Sequence, residues 1–298
     1  MEVNINSDLG ESSKFHSTEN DPALLKIVNS ANIACGYHAG DEETMEKTIR
    51  ISKDNGVSIG SHPSYLDREN FGRKRMNISS EEVTKLIIDQ CEILSIAADK
   101  LKMKVTHVKP HGALSNTACE NYELSMTIAK AIRQFDPNII FLVNAHTEME
   151  KAGRDLKLRI ACEVFADRNY EDNGYLVSRS KPNAMILDRE ESAKHVLKML
   201  ENQALNCYSG KQIKCDIDSI CVHGDEETAV DNARYLRDIL IKNGFQLKSL
   251  DKLKKINWSK KRDGKLKPPL NLLKIINYFF CAQVGIGYFT SQAANVNG

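Results

Sequence analysis

Residues 30–41 have the sequence SANIACGYHAGD, in which a short apolar strand pattern runs directly into two glycines, a histidine and an aspartate. The interior of a strand favours β-branched and apolar residues, whereas two glycines with His38 and Asp41 suit a tight turn that exposes a polar tip. Core packing alone gives no reason for such an ending. The stretch therefore predicts a buried strand whose carboxyl end carries a functional side chain.

The same transition, from an apolar run to a histidine beside glycine or proline, occurs at three further places in the chain. These segments are 57–63, 105–112 and 219–225. Functional side chains of parallel β/α proteins collect at the carboxyl ends of the strands. Four histidines are therefore expected to converge on one mouth of the fold: His38, His62, His111 and His223.

Strand-like runs recur along the chain, and all but one pair are separated by enough residues to form a helix. They lie at about 3–7, 31–35, 57–61, 104–108, 139–143, 159–163 and 219–223. Right-handed connections through helices give a parallel sheet, and this number of strands is closer to a closed barrel than to an open sheet. The sequence thus predicts an α/β fold, a seven-stranded parallel β/α barrel of the TIM-like type.

The sequence changes character at about residue 250, where a lysine-rich run leads into an apolar stretch. Residues 1–250 contain all the strand-like runs and are predicted to form the catalytic barrel domain. A membrane-binding or partner-binding tail is one interpretation of residues 251–298. Polar residues such as Lys274 and Gln283 interrupt the apolar stretch, however, and make a membrane-spanning helix unfavourable. We therefore interpret residues 251–298 as a terminal segment outside the barrel core.

The charge of the chain is nearly balanced, with 41 Lys and Arg against 40 Asp and Glu among 298 residues. No overall field would attract nucleic acid or an acidic membrane, so a small molecule or another protein is the expected partner. The eight cysteines include no C-x-x-C pair and mostly lie in apolar runs, which favours a cytoplasmic location. No signal peptide is predicted at the amino terminus.

Charged side chains follow several of the strand-like runs. Lys109, beside His111 in the segment KPHG, is expected to neutralise a substrate carboxylate or phosphate, or charge that develops on an oxygen; the alternative is a surface lysine on a turn. Asp8 and Glu163 follow two other runs, and such a cluster suits a divalent metal. If a metal binds, the predicted ligands are Asp8, His38 and His62.

Two arginines are candidates for anion binding. Arg168 is expected either to bind a substrate carboxylate or to form an internal ion pair with Asp167. Arg73 belongs to a basic loop, which either binds phosphate or is simply solvated. The sequence contains neither a P-loop motif nor a glycine-rich dinucleotide motif, so a self-contained nucleotide site is not expected.

Several of these segments together resemble the LamB/YcsF family. The matching segments are 6–11, 30–41, 62–63, 71–73, 107–114, 163–168 with Tyr170, and 221–225. They span residues 1 to about 250, and ungapped strings of this length are highly specific. The resemblance implies a barrel related to the glycoside hydrolase and deacetylase folds.

The resemblance also implies an ATP-dependent 5-oxoprolinase, which hydrolyses the lactam of 5-oxo-L-proline to L-glutamate. The chain would work with partner subunits B and C, ATP would be a co-substrate handled with those partners, and a divalent metal or a homo-oligomer is compatible with this role. The candidate catalytic residues are Asp8, His38, His62, Lys109, His111 and Glu163. The candidate substrate-binding residues are Asn32, Arg73, Asp167, Arg168, His223 and Asp225. A metal-dependent deacetylase-like hydrolase and a non-catalytic assembly subunit remain alternatives.

Overall fold

The computed structural model describes residues 1–182, 184–224 and 228–257. Its strands are β1 (Glu2–Leu9), β2 (Ser30–Ala34), β3 (Ser58–His62), β4 (Val105–Val108), β5 (Ile140–Asn144), β6 (Arg159–Phe165), β7 (Ala204–Asn206), β8 (Gln212–Lys214), β9 (Ser219–Cys221) and β10 (Gln246–Leu247). Strands β1 to β6 and β9 are parallel neighbours in that order, and β9 also pairs with β1. The predicted seven-stranded parallel β/α barrel is therefore confirmed.

Helices connect the strands of the barrel. They are α1 (Asp21–Leu24), α2 (Glu42–Asp54), α3 (Ser80–Lys100), α4 (Gly112–Glu120), α5 (Tyr122–Phe135), α6 (Glu148–Asp155), α7 (Arg189–Asn202), α8 (Ala229–Lys242) and α9 (Lys254–Asn257), with a 3₁₀ helix at Leu250–Lys252. Asp41 caps α2 by accepting a hydrogen bond from the Thr44 amide at 2.8 Å, and Ser79 forms a capping box with Glu82 at α3. No helix in the described part of the chain is long and apolar enough to cross a membrane.

The barrel interior is polar. Along β1, Val3, Ile5 and Leu9 lie on one face and are fully buried, while Asn4 and Asn6 alternate with them. The side chains of the alternating residues form hydrogen bonds to the two neighbouring strands β2 and β9: Asn4 Nδ2 donates to Ser30 Oγ at 2.9 Å, and Ser219 Oγ donates to Asn4 Oδ1 at 2.7 Å. The inward-facing side chains thus link strands that are distant in sequence.

The amino-terminal end of the barrel is covered by the segment that follows β10. Leu250, Leu253 and Ile256 are buried in a cluster with Ile140 and other apolar residues of β5 and β6. The boundary predicted at residue 250 therefore falls inside a packed segment. Most of the lysine-rich and apolar tail, from residue 258 onward, lies outside the described residues.

Candidate functional site

The carboxyl ends of the barrel strands open into a pocket of about 400 Å³. Its lining includes seven of the predicted site residues: Asp8, His62, Arg73, Lys109, His111, Arg168 and His223. Four more contact this lining from behind: Asn32, His38, Glu163 and Asp167. Asp225 lies outside the described residues. The structure thus separates residues that face the pocket from residues that hold them in place.

Lys109 lies at the floor of the pocket and is almost completely buried. Its Nζ is 2.9 Å from Asp8 Oδ1, 3.1 Å from Glu163 Oε1 and 3.3 Å from Cys221 Sγ. Burial would lower the pKa of Lys109, but Asp8, Cys221 and Glu163 together outweigh this effect and hold the pKa well above its usual value. Lys109 is therefore an ammonium that joins three strands of the barrel, and the alternative of a surface lysine is wrong.

Asp8 is the carboxylate that reaches from this floor into the pocket, with 14% of its side chain exposed. It accepts a hydrogen bond from Asn32 Nδ2 at 2.7 Å, and its Oδ2 lies 3.4 Å from His62 Nε2. Burial would raise the pKa of Asp8, but His62 and Lys109 together hold it well below the usual range. Asp8 is therefore ionised and faces the pocket.

A chain of hydrogen bonds below the pocket fixes these groups. Asn32 Nδ2 donates to Asn6 Oδ1 at 2.7 Å, and Asn6 Nδ2 donates to Glu163 Oε1 at 2.8 Å. His107 Nε2 lies 2.9 Å from Asn32 Oδ1, and burial lowers the pKa of His107 to about 3, so the ring is neutral and donates. A Cβ at Gly60 would lie 2.2 Å from the His107 ring, so β3 needs glycine at this point.

Neither Asn6 nor His107 was among the predicted site residues, although both lie in segments that carry the resemblance. The signal that identifies them is their alternation with Asp8 and Lys109 along β1 and at the end of β4. Residues two apart on a strand point to the same face. The predicted site therefore extends into a lower layer of the same barrel interior.

A cluster of three histidines and Glu11 forms one wall of the site, and its nearest ring and carboxylate atoms lie within 4.8 Å of one another. His62 Nε2 and His111 Nδ1 are 3.0 Å apart. Glu11 Oε1 is 3.2 Å from His111 Nδ1 and 3.7 Å from His62 Nε2. Glu11 was not predicted as a site residue, and its position three residues after Asp8 is the available sequence signal.

His38 does not line the pocket. Its ring is stacked on the His111 ring, with centroids 3.8 Å apart and planes 10° apart, and its Nε2 is 2.9 Å from Glu11 Oε1. Complete burial is the main reason that the pKa of His38 falls to about 3. The ring is therefore neutral, and its contact holds the Glu11 carboxylate against the other two histidines.

His223 faces the pocket from the end of β9. Its Nδ1 is 2.7 Å from Asp167 Oδ2, and its ring stacks on Phe165 with centroids 5.6 Å apart. Burial would raise the pKa of Asp167, but His223 outweighs this and lowers it. A ring nitrogen of His223 also lies within 4.8 Å of an Asp8 carboxylate oxygen. The pair formed by His223 and Asp167 thus lies next to Asp8.

Arginines also line the pocket. Arg168 is buried and donates to the Val177 carbonyl at 2.6 Å, while its Nε has no partner among the described residues. Burial and the nearby charge of Arg179 both lower the pKa of Arg168. The Arg73 guanidinium lies over the Phe71 ring at 4.9 Å. Guanidinium groups gathered in this way favour a carboxylate or phosphate between them.

The sequence as a whole matches a known protein family. The LamB/YcsF family matches residues 3–255. The chain is 46% identical over 246 residues to the A subunit of 5-oxoprolinase from Nitrobacter hamburgensis, covering 82% of this chain and 96% of that protein. It is 39% identical over 250 residues to the A subunit of 5-oxoprolinase from Staphylococcus aureus, covering 84% of this chain and all of that protein.

The fold is also similar to a solved structure. The crystal structure of the lactam utilization protein from Thermus thermophilus superposes with a TM-score of 0.78 at 34% sequence identity. The match covers 84% of this chain and all of the Thermus chain. By sequence match across the barrel and by this structural agreement, the chain belongs to the LamB/YcsF family.

Proposed function

We propose that this chain is the A subunit of an ATP-dependent 5-oxoprolinase, which opens 5-oxo-L-proline to L-glutamate with hydrolysis of ATP. The names of its relatives support this role. The observation that carries the proposal is the pocket itself, whose lining combines acid–base groups with guanidinium groups. Such a pocket suits a small ring that bears a carboxylate and receives a phosphoryl group.

The chemistry explains why ATP is required. A five-membered lactam is a poor electrophile, and transfer of the γ-phosphoryl group from ATP to the lactam oxygen activates the ring carbon. Water then adds to that carbon, the carbon–nitrogen bond breaks, and the ring nitrogen takes up a proton. The product of this step is γ-glutamyl phosphate, from which a second water releases phosphate and L-glutamate. The site must therefore remove a proton from water and supply one to nitrogen.

We assign these roles by position in the pocket. Asp8 accepts the proton of the attacking water, since it is ionised and exposed to the pocket. His223, oriented by Asp167, donates the proton to the ring nitrogen. Lys109 fixes Asp8 and stabilises negative charge above the floor, while Arg168 binds the substrate carboxylate or phosphoryl group.

Further residues act on the pocket indirectly or at its rim. Arg73 assists Arg168 at the anion-binding side. Glu163 and Asn32 hold Lys109 and Asp8 in position from below. We assign ATP delivery to a shared site with partner subunits B and C, because the sequence has no phosphate-binding loop motif of its own.

The test is turnover of 5-oxoproline in the complex reconstituted with subunits B and C. We expect ATP-dependent formation of glutamate by the complex and none by the chain alone. Asp8→Asn should reduce turnover at least about 100-fold, the scale for removal of one preorganised catalytic group. Asp238→Asn, on the exposed face of α8, is the matched control and should leave turnover unchanged. Full turnover with Asp8→Asn in an intact complex would instead support a non-catalytic assembly subunit.

A metal-dependent amide hydrolase that acts without ATP is a second candidate. The specific observation in its favour is the group formed by Glu11, His62 and His111. The same assay separates the two functions, because the second candidate predicts hydrolysis of amide substrates in the absence of ATP and of partner subunits.

A further inference from the structure

The hydrogen bonds of His62 and His111 determine which nitrogen of each ring carries a proton. His62 Nδ1 lies 2.7 Å from the Lys109 carbonyl oxygen, and His111 Nε2 lies 2.9 Å from the Phe71 carbonyl oxygen. A carbonyl oxygen only accepts hydrogen bonds, so both of these nitrogens donate. In the neutral rings the remaining nitrogens, His62 Nε2 and His111 Nδ1, are therefore two acceptors that face each other at 3.0 Å.

Glu11 adds a third acceptor to this pair. Its Oε1 lies 3.2 Å from His111 Nδ1 and 3.7 Å from His62 Nε2, so the three atoms form a triangle. Ligands about 2.0–2.1 Å from a zinc-sized cation lie roughly 3.0–3.4 Å from one another. The triangle thus has the dimensions of a coordination face when both rings are neutral. Burial would lower the pKa of His62, but Asp8 and Glu11 together raise it, so a cation that binds here displaces a proton from His62 Nε2.

The surrounding charges also favour a cation. Asp8, Glu11 and Glu163 bring three carboxyl groups to the buried region around the triangle, whereas Lys109 is the ammonium that contacts two of them. Buried charges are normally paired or bound to a metal. A divalent cation among the histidines would balance the remaining carboxylate.

We propose that Glu11 Oε1, His62 Nε2 and His111 Nδ1 bind a first-row divalent transition-metal cation such as Zn²⁺ or Mn²⁺. One open coordination position then faces the pocket and Asp8, whose Oδ2 lies 3.4 Å from His62 Nε2. Two imidazoles and one carboxylate are a common ligand set for such cations. The carbonyl groups that orient both rings are the outer partners that metal-bound histidines usually have.

His38 is a positioning residue of this site and not a ligand, which differs from the set Asp8, His38 and His62 expected from the sequence. Its ring lies parallel to that of His111, so its Nε2 lone pair would run alongside the His111 lone pair instead of converging with it. Its Nε2 contacts Glu11 Oε1 at 2.9 Å and orients the carboxylate. His38→Ala should weaken metal affinity roughly 10–100-fold, and His38→Gln, which keeps an N–H donor, should restore part of it.

The experiment is metal binding by the purified full chain. After treatment with a chelator, the protein is loaded with Zn²⁺, Mn²⁺ or Co²⁺, and bound metal is measured by mass spectrometry and calorimetry. We expect one equivalent per chain, and at least about 100-fold weaker binding in Glu11→Gln and in His111→Gln. His146→Gln, which changes an exposed histidine outside the triangle, is the matched control and should bind as the wild type does.

The Co²⁺-loaded wild-type chain gives a second readout that does not depend on the folding of any variant. Visible bands without a near-ultraviolet thiolate band are expected, because the proposed ligands are nitrogen and oxygen. No stoichiometric binding, a thiolate band from cysteine ligands, or full binding by a folded Glu11→Gln would each overturn the proposal. These measurements need neither ATP nor partner subunits, so they can fail while the proposed 5-oxoprolinase activity stands, and the reverse also holds.

Discussion

The sequence around Lys109 predicts a charged group at a strand end, but it does not predict the residues that surround this group. The motif KPHG after an apolar run was enough to predict an ammonium at a strand end. It was not enough to predict burial, because the carboxylates that surround Lys109 come from distant parts of the chain: Asp8 is 101 residues away. Only closure of the barrel brings these groups together.

We therefore expect Lys109→Met to affect both stability and turnover. Loss of the ammonium leaves Asp8 and Glu163 buried without their counter-charge, which costs about 3–5 kcal/mol of the free energy of unfolding. Urea unfolding of the variant measures this loss. Lys104→Met, at an exposed lysine, is the control and should unfold as the wild type does. A folded, equally stable Lys109→Met would show that the ion pairs contribute nothing to the scaffold.

Asp21 gives the protein a specific dependence of stability on pH. Burial raises the pKa of Asp21 to about 6 from its ordinary 3.8, against the effect of its hydrogen bond from the Gly10 amide. Between these values the folded state holds a proton that the unfolded state has lost, so the contribution of Asp21 to stability falls as pH rises. Above pH 7 the ionised, buried carboxylate costs up to about 3 kcal/mol.

Asp21→Asn removes this charge and keeps the oxygen that accepts from Gly10. The variant should be more stable than the wild type by about 3 kcal/mol at pH 8 and by roughly half as much at pH 5. Urea unfolding at the two pH values tests the prediction. Equal differences at both values, or the same behaviour in the exposed control Asp238→Asn, would contradict the role assigned to Asp21.

At the scale of secondary structure, the elements with clear end signals were predictable. The caps at Asp41 and Ser79 mark the starts of α2 and α3 in the sequence. Helices α4 and α6 give weaker sequence signals, because they have only nine and eight residues and each contains a single large apolar side chain. The carboxyl-terminal boundary at residue 250 stays a prediction, although Leu253 and Ile256, which lie in a charged run of the sequence, pack against strand residues.

The segment that covers the amino-terminal end of the barrel leads to a test by truncation. A chain of residues 1–249 loses Leu250, Leu253 and Ile256, and burial of each such side chain contributes about 1.5–3 kcal/mol. We expect this chain to have a clearly lower melting temperature than a chain of residues 1–257. Calorimetry of both chains makes the comparison. Equal melting temperatures would place the true boundary at residue 250 after all.

At the scale of the whole molecule, the fold followed from the order and spacing of strand-like runs, because parallel strands joined by helices have few ways to close. The hydrogen bonds inside the barrel could not be predicted from strand order and spacing. Asn6, Asn32 and His107 look in sequence like polar interruptions of apolar strands. Their partners lie on adjacent or next-adjacent strands of the barrel, so their role depends on which strands become neighbours and on the register between them.

The polar interior of the barrel also has a consequence for how the chain folds. An open half-barrel can form the bonds between β1 and β2, but it lacks the bonds of Asn6 to Glu163 and Ser219 and of Ser219 to Asn4, which join β1 to β6 and β9. Each of these polar groups that is buried before closure without its partner costs about 1–3 kcal/mol. Partly assembled barrels are therefore less stable than the closed barrel until β9 pairs with β1. This penalty favours a single cooperative folding transition, in which closure and formation of the lower layer of the site occur together.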